Sequence, residues 1–131
     1  MSNQSSPSRG TVMVIEDDPD CLEAMADALQ FDGYEVIVST NGLEALGHLK
    51  AHRPPDLILL DLMMPVMDGW EFLRAQRELA PLAHVPVALL SGERELDRLA
   101  AELAVEGHIQ KPIALDKLLE TVQRLISKPQ K

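Results

Sequence analysis

The chain has 131 residues and a formal net charge of −9, and 46% of its residues are hydrophobic but only 3% are aromatic. This length fits one domain with an aliphatic core. The acidic charge and the lack of a Lys or Arg stripe argue against direct binding of nucleic acid, and no apolar run approaches the ~20 residues of a membrane span. The N-terminus lacks the apolar stretch of a signal peptide and the single cysteine, Cys21, excludes an internal disulfide, so we expect a cytoplasmic protein.

Strand and helix patterns alternate from the start of the domain. Residues 1–10 have the Ser-rich composition of a flexible leader, and the domain is predicted to begin at Thr11. Apolar residues 12–15 predict the first strand. Pro19 is typical of a first helical turn and Gly33 of a helix end, so a helix is expected between them.

The same alternation continues to the C-terminus. The central strand is the unbroken apolar run of residues 57–60, which ends on Asp61. Pro65 stops this strand, and Asp68 is placed to cap the following helix. After the first helix, the predicted elements are strand 34–39, helix 42–52, strand 57–61, helix 68–79, strand 85–91, helix 96–106, strand 108–110 and helix 115–126, followed by a tail of residues 128–131.

Five strands alternating with five helices predict the fold class. Apolar strands joined by helical crossovers form a parallel sheet with helices on both faces. We therefore expect an α/β, three-layer, doubly wound, flavodoxin-like domain over residues 11–127, with five parallel strands in the order 2-1-3-4-5. In this order the first and third strands are neighbours.

Polar residues mark the ends of four predicted strands. The carboxyl ends of the strands are where open α/β sheets place their ligands, so we expect these side chains to share one cleft. From its own segment, Asp61 could equally be a residue that only caps a loop. The candidate residues are Glu16 and Asp17 after the first strand, Asp61 at the end of the third, Ser91 at the end of the fourth and Lys111 after the fifth.

A cluster of three carboxylates requires a cation. At ~4 Å and an effective dielectric of about 20, two carboxylates repel by about 4 kcal/mol. Oxygen ligands without Cys or His favour a hard ion, and open positions for water and phosphate favour Mg²⁺ over Zn²⁺ or a Ca²⁺ cage. Lys111 adds a second positive charge and Ser91 a hydrogen-bond donor, which together suit a phosphoryl group. A carboxylate in such a site can itself be the nucleophile.

These motifs together resemble the receiver domain of two-component response regulators over essentially all of residues 11–127. Each motif alone is weak, but the set, in this order and on these elements, is highly specific. It consists of Glu16-Asp17, Asp61 followed by Met64-Pro65 and Met67-Asp68-Gly69, Ser91-Gly92, and Lys111-Pro112.

The resemblance implies a signalling function rather than a conventional enzyme. Asp61 would accept a phosphoryl group from a phosphohistidine on a histidine kinase or histidine phosphotransfer protein, and the chain would assist its own phosphorylation and dephosphorylation. Mg²⁺ would be bound by Asp17, Asp61 and the backbone carbonyl of Met63, with Glu16 acting mainly through water. Lys111 would pair with the phosphoryl oxygens. The output would be a phosphorylation-dependent surface that binds a downstream protein.

The signalling switch contains one departure from the resemblance. In similar receivers the strand-four hydroxyl, here Ser91, moves toward the phosphoryl group and frees space for an aromatic residue on strand five. His108 occupies that position, and whether it switches or is a plain surface histidine is left open by the sequence. The Lys111-Pro112 bond is expected to be cis.

Four alternatives stay open at this stage. A Mg²⁺-dependent aspartyl-phosphate phosphohydrolase of the haloacid dehalogenase type would place a second Asp two residues after the nucleophile, where this chain has Met63. The chain could also be a receiver segment of a larger regulator or hybrid kinase, and a homodimer is not excluded. His48 and His52 could share a metal, but no third ligand is near them in sequence, so a solvated helix face is expected.

Overall fold

The computed structural model of the chain describes residues 8–64, 66–92, 94 and 96–127. Within these residues five strands and five helices alternate, as predicted. The strands are β1 (Thr11–Ile15), β2 (Glu35–Ser39), β3 (Leu57–Asp61), β4 (Val87–Ser91) and β5 (Gly107–Gln110). The helices are α1 (Pro19–Phe31), α2 (Gly42–Ala51), α3 (Gly69–Arg77), α4 (Leu96–Glu102) and α5 (Leu115–Ser127).

All strands belong to one parallel sheet in the order β2-β1-β3-β4-β5, which confirms the predicted topology. Every residue of β3 is buried, as its unbroken apolar run requires. A strand buried on both sides needs helices on both faces of the sheet. The strand that ends on Asp61 is therefore the centre of a three-layer α/β domain.

The side chains of each strand alternate between two apolar layers. Met13 and Ile15 pack with α2, α3 and α4, whereas Val12 and Val14 pack with α1 and α5. This alternation is the period of two that every strand imposes. In the part of the chain that the structure describes, no helix has the length and apolarity needed to cross a lipid bilayer.

Polar caps fix where the helices begin. Asp68 accepts a hydrogen bond from the backbone N–H of Glu71, whose side chain accepts one from the backbone of Asp68, and this capping box starts α3. Asn41 caps α2 by accepting from the N–H of Glu44 at 2.8 Å. Pro19 is the first residue of α1. The start signals read from the sequence are thus confirmed.

Several predicted boundaries shift for local reasons. α3 spans Gly69–Arg77 instead of 68–79, and α4 ends four residues early, at Glu102, because Ala104 has a positive φ of 57°. β2 begins after Tyr34, because the N–H of Tyr34 donates to the carbonyl of Leu29 at the end of α1. β4 begins after Val85, because the N–H of Val85 closes a turn onto Leu82. Gly107, predicted to end a helix, is instead the first residue of β5.

The predicted leader and tail lie mostly outside the described residues. Residues 1–7 and 128–131 belong to that part, so both boundaries stay predictions. Arg9, within the predicted leader, does contact the domain. Its guanidinium lies 2.9 Å from the carboxylate of Asp32 and 5.0 Å from the centre of the Tyr34 ring.

Candidate functional site

The candidate residues meet at the carboxyl edge of the sheet, as predicted. Glu16 follows β1 and Asp61 ends β3, and these two strands are neighbours in the sheet. Ser91 ends β4, and Lys111 follows β5. The topology therefore brings together side chains from distant parts of the sequence.

Asp61 is the central carboxylate of this site. It is buried, with 2% of its surface exposed. Its Oδ1 accepts a hydrogen bond from the backbone N–H of Met63 at 3.2 Å, and its Oδ2 lies 3.3 Å from the ammonium of Lys111. Asp61 does not cap a helix; the cap of α3 is Asp68. The bond from Met63 is that of a loop cap, and the contact with Lys111 shows that Asp61 also belongs to the charged cluster.

Lys111 joins the two buried carboxylates. Its Nζ lies 3.0 Å from Oε1 of Glu16 and donates a hydrogen bond to Oε2 at 3.3 Å. Glu16 is fully buried, and its Oε2 also accepts from the backbone N–H of Asp18 at 3.1 Å. One ammonium thus contacts both Glu16 and Asp61, an arrangement that the sequence predicted only in outline.

The surroundings of Asp61 raise the pKa of its carboxyl group. Burial raises the pKa of Asp61 to about 7, and the charge of Glu16 adds to this effect. The ammonium of Lys111 and the N–H of Met63 act in the opposite direction without cancelling it. For Lys111, burial alone would lower the pKa, but the hydrogen bond and charge of Glu16 together with the charge of Asp61 outweigh it and raise the pKa.

The donor set fits a hard divalent cation. One carboxylate oxygen each from Glu16, Asp17 and Asp61 lies within 4.8 Å of the others, and Asp17 is exposed to solvent. The buried Oε1 of Glu16 receives no hydrogen bond from the described residues, although the ammonium of Lys111 is close to it. Two carboxylates held by one ammonium leave net negative charge. An all-oxygen set of this kind suits Mg²⁺.

Ser91 and Gly92 form the next wall of the site. Ser91 is buried, and its carbonyl accepts from the backbone N–H of Lys111 at 2.8 Å, which ties the end of β4 to the residue carrying the ammonium. Among the described residues, and leaving out its two chain neighbours, a Cβ added at Gly92 would meet no atom within 4 Å. The site is therefore open to solvent or to a partner at this point.

His108 lies on the outer face of β5 and is exposed. It borders a cavity of about 530 Å³ between β5, α4 and α5, together with Leu96 and Lys117. The structure thus shows the outward orientation of His108. The peptide bond between Lys111 and Pro112 is cis, as predicted.

Two neighbours of Glu16 were not assigned to the site from the sequence. The side chain of Asp18 caps α1, and its N–H donates to Glu16. Cys21 is partly buried, and burial together with the charge of Glu16 raises its pKa to about 11. The segment Asp-Asp-Pro-Asp carried the signal for the cap, since Pro19 marks the first helical residue.

The histidine pair on α2 has a structural role. The rings of His48 and His52 are stacked with centres 4.0 Å apart, and the Nδ1 of His52 lies 3.0 Å from the carbonyl of His48. Among the described residues, the one cluster able to hold a metal is the acidic one already named. His48 is partly exposed and His52 is exposed, as expected of a solvated helix face.

Comparisons with known proteins agree on one family for this chain. The family model of the response regulator receiver domain matches residues 12–123. The polar-differentiation response regulator DivK of Brucella anthropi is 34% identical over 118 residues, which cover 86% of this chain and 93% of that protein. The sensor histidine kinase TmoS of Ectopseudomonas mendocina is 37% identical over 119 residues, or 88% of this chain, but the match spans only 12% of the kinase.

A solved structure of similar fold carries a metal. The receiver domain of a sensor histidine kinase from Pseudomonas aeruginosa is 26% identical, with a TM-score of 0.82 over 91% of this chain and 98% of that one. Its crystal structure has a magnesium ion coordinated in the active site cleft.

Proposed function

Because the chain belongs to the response regulator receiver family and so is a phosphoacceptor signalling module, we propose that Asp61 is the phosphoacceptor and that a phosphohistidine is the donor. The observation that carries this assignment is the placement of Asp61. It is a buried carboxylate at the end of the central strand, 3.3 Å from a fixed ammonium. The donor would be a histidine kinase or a histidine phosphotransfer protein, and the output a protein that binds the altered surface.

The transfer itself needs little from the protein beyond position and charge. A carboxylate oxygen of Asp61 forms the new P–O bond while the P–N bond of the phosphohistidine breaks, and the electron pair stays on the imidazole nitrogen. The product is an acyl phosphate. The N–H of Met63 and the ammonium of Lys111 hold the two oxygens of Asp61 in fixed directions before the reaction.

The acidic residues would hold the divalent cation. Asp17, Asp61 and the backbone carbonyl of Met63 would bind Mg²⁺, with Glu16 acting through water. The close approach of the three carboxylates and the magnesium ion in the Pseudomonas receiver support this. When bound, Mg²⁺ neutralises phosphoryl oxygens as charge moves during transfer.

Lys111 and Ser91 would hold the phosphoryl group after transfer. Lys111 is fixed by Glu16 and by the backbone bond to Ser91, so its ammonium can contact a phosphoryl oxygen without losing its position. Ser91 would donate its hydroxyl to another oxygen. A group with about −1.5 to −2 charge can be kept in an acidic cleft only by such donors.

The chain would also catalyse the hydrolysis of its own acyl phosphate at a modest rate. Water can reach the site beside Gly92, where no side chain stands. Met63 is 63% exposed and flanks Asp61, but its thioether cannot orient a water molecule for attack. We therefore expect a phosphorylated form that is not unusually short-lived.

The test is incubation with acetyl phosphate and Mg²⁺ followed by intact mass spectrometry. The mass of one phosphoryl group should appear in the wild-type chain and not in Asp61→Asn. Asp56→Asn is a matched control on the same segment, and it should be labelled normally. A label that persists in Asp61→Asn would overturn the assignment.

A second reading concerns the size of the natural protein. The match to the sensor histidine kinase TmoS supports a receiver segment that works inside a longer protein, where the donor would be in the same polypeptide. The match to DivK over nearly its whole length supports a receiver that works alone. The aspartyl-phosphate phosphohydrolase is not favoured, because the relatives are signalling proteins.

A further inference from the structure

The free edge of β2 has no role in phosphoryl transfer. In the described part of the chain β2 pairs with β1 alone. The N–H of Glu35 donates to the residue before β1 at 2.9 Å, and the carbonyl of Ser39 accepts from the N–H of Glu16 at 3.0 Å. Because successive strand residues point their backbone groups in opposite directions, those of Val36 and Val38 point away from β1.

Of the features that usually protect an edge strand, β2 has a short length and one charged side chain, Glu35, but no lysine, proline or bulge. The sequence of β2 is Glu-Val-Ile-Val-Ser, and its register with β1 is continuous. Val38 is 51% exposed, and Phe31, at the end of the helix that precedes β2, is 96% exposed. An extended segment added here could form backbone hydrogen bonds with β2 and pack against these apolar side chains.

A carboxylate lies at each end of the free edge. Glu35 is exposed at the first residue of β2, where its Oε1 accepts from the hydroxyl of Thr11 at 3.3 Å. At the other end, Oε1 of Glu44 accepts from the hydroxyl of Ser39 at 2.9 Å and from the N–H of Thr40 at 3.1 Å. These hydrogen bonds lower the pKa of Glu44, so it is ionised at neutral pH.

The charge of this region identifies the chemistry of its partner. Residues 10–49 contain nine of the 21 acidic residues and no Lys or Arg. The rest of the chain has 12 acidic and 12 basic residues, of which Arg9 and Lys111 pair with Asp32 and Glu16, so the acidic excess of the chain is greatest in this region. Two copies of the chain joined edge to edge through β2 would bring two such regions together and repel each other. The occupant is therefore basic and is a different protein.

We propose that the free edge of β2 binds an extended segment of a partner protein as an added strand, with Lys or Arg at both ends of the segment and β-branched residues between them. Main-chain hydrogen bonds to Val36 and Val38 hold the segment. The basic residues face Glu35 and Glu44 and fix its register. The contact does not involve Asp61, so it stands apart from the proposed phosphoacceptor.

The probe is a capped heptapeptide with lysine at both ends and alternating valine and threonine between them. Its control has glutamate in place of the two lysines. Binding is followed by two-dimensional NMR of the ¹⁵N-labelled chain, with hydrogen exchange of the amides of Val36 and Val38. The lysine peptide should bind saturably and slow exchange at both amides, and the glutamate peptide should do neither.

Glu35→Lys replaces attraction with repulsion and should weaken peptide binding by about tenfold at low salt. Glu120→Lys makes the same charge change on exposed α5 and should leave binding within about twofold. Both variants should still be phosphorylated by acetyl phosphate, which needs no docking surface and so separates this proposal from that for Asp61. Absence of saturable binding, equal effects of the two variants, or binding without slower exchange at Val36 and Val38 would overturn the proposal.

Discussion

The ammonium of Lys111 lies 3.0 Å from the buried carboxylate of Glu16, so a side chain from the end of the last strand neutralises one from the end of the first. The ionised carboxylate of Glu16 could not be stable in its position alone, because a buried charge without a partner costs several kcal/mol. The same ammonium is 3.3 Å from Asp61. Site geometry and stability of the carboxyl edge therefore depend on one lysine.

Replacing this lysine should affect both properties. Lys111→Gln leaves two carboxylates without a counter-charge, and we expect the free energy of unfolding without Mg²⁺ to fall by about 2 kcal/mol, since Lys111 is partly exposed to solvent. The rate of labelling by acetyl phosphate should fall at least tenfold. Lys117→Gln, on exposed α5, is the control and should change neither urea unfolding nor labelling. Normal labelling of Lys111→Gln would contradict the role given to the ammonium.

The raised pKa of Asp61 predicts a pH dependence of stability. Between the ordinary pKa of 3.8 and about 7, the folded chain keeps a proton on Asp61 that the unfolded chain has released. The contribution of this group to the free energy of unfolding is therefore greatest below that window, falls as pH rises through it and is level above it. Urea unfolding in EDTA from pH 4 to 8 measures this.

Asp61→Asn isolates the effect from the rest of the acidic surface. The difference in unfolding free energy between wild type and this variant should change with pH in the window and be constant above about pH 7. Saturating Mg²⁺ should favour the ionised form and move the window to lower pH. A difference that does not vary with pH would show that Asp61 titrates normally.

Two glycines offer a matched test of packing around the site. A Cβ on Gly69 would lie 2.7 Å from Cδ2 and 2.8 Å from Cα of Leu62, the residue after Asp61. Gly69→Ala should therefore cost about 1–3 kcal/mol of stability and slow labelling, because the loop after β3 must move. Gly47→Ala, in open space within α2, should instead stabilise by up to about 1 kcal/mol. Thermal unfolding of both variants checks the contrast.

The lifetime of the phosphorylated form should depend on Met63. Met63→Asn places an amide beside Asp61 that can hold a water molecule, so the acyl phosphate should decay several-fold faster. Met63→Leu keeps an apolar side chain and should decay as the wild type does. After acetyl phosphate is removed, intact mass spectrometry follows the loss of the phosphoryl group and gives the decay rate of each variant. Decay of the wild type within seconds would contradict the expectation of a persistent phosphorylated form.

Most of the fold could be read from the sequence because its signals are local and strong. The buried run of β3 and the caps at Asn41 and Asp68 each act within a few residues. The start of β2 was misplaced because the N–H of Tyr34 donates to the carbonyl of Leu29 at the end of α1. No residue type in the sequence indicates this hydrogen bond.

The site was predicted as a set of residues, but its internal connections were not. That Glu16 and Asp61 share an edge follows from strand order. That Lys111 contacts both carboxylates depends on side-chain directions and on the backbone bond to Ser91, which appear only in three dimensions. The orientation of His108 was likewise left open, because an edge strand accepts a polar residue on either face.

The separation of charge along the chain also affects how the molecule moves before any contact forms. Residues 10–49 hold nine acidic residues and no Lys or Arg, and their strands β1 and β2 lie together at one side of the sheet, so we expect the protein to have an electric dipole. A positively charged partner would orient the molecule so that β1 and β2 face it. This effect acts within about one Debye length, roughly 8 Å at physiological salt. Collisions would then be productive in a larger fraction of encounters than random tumbling allows.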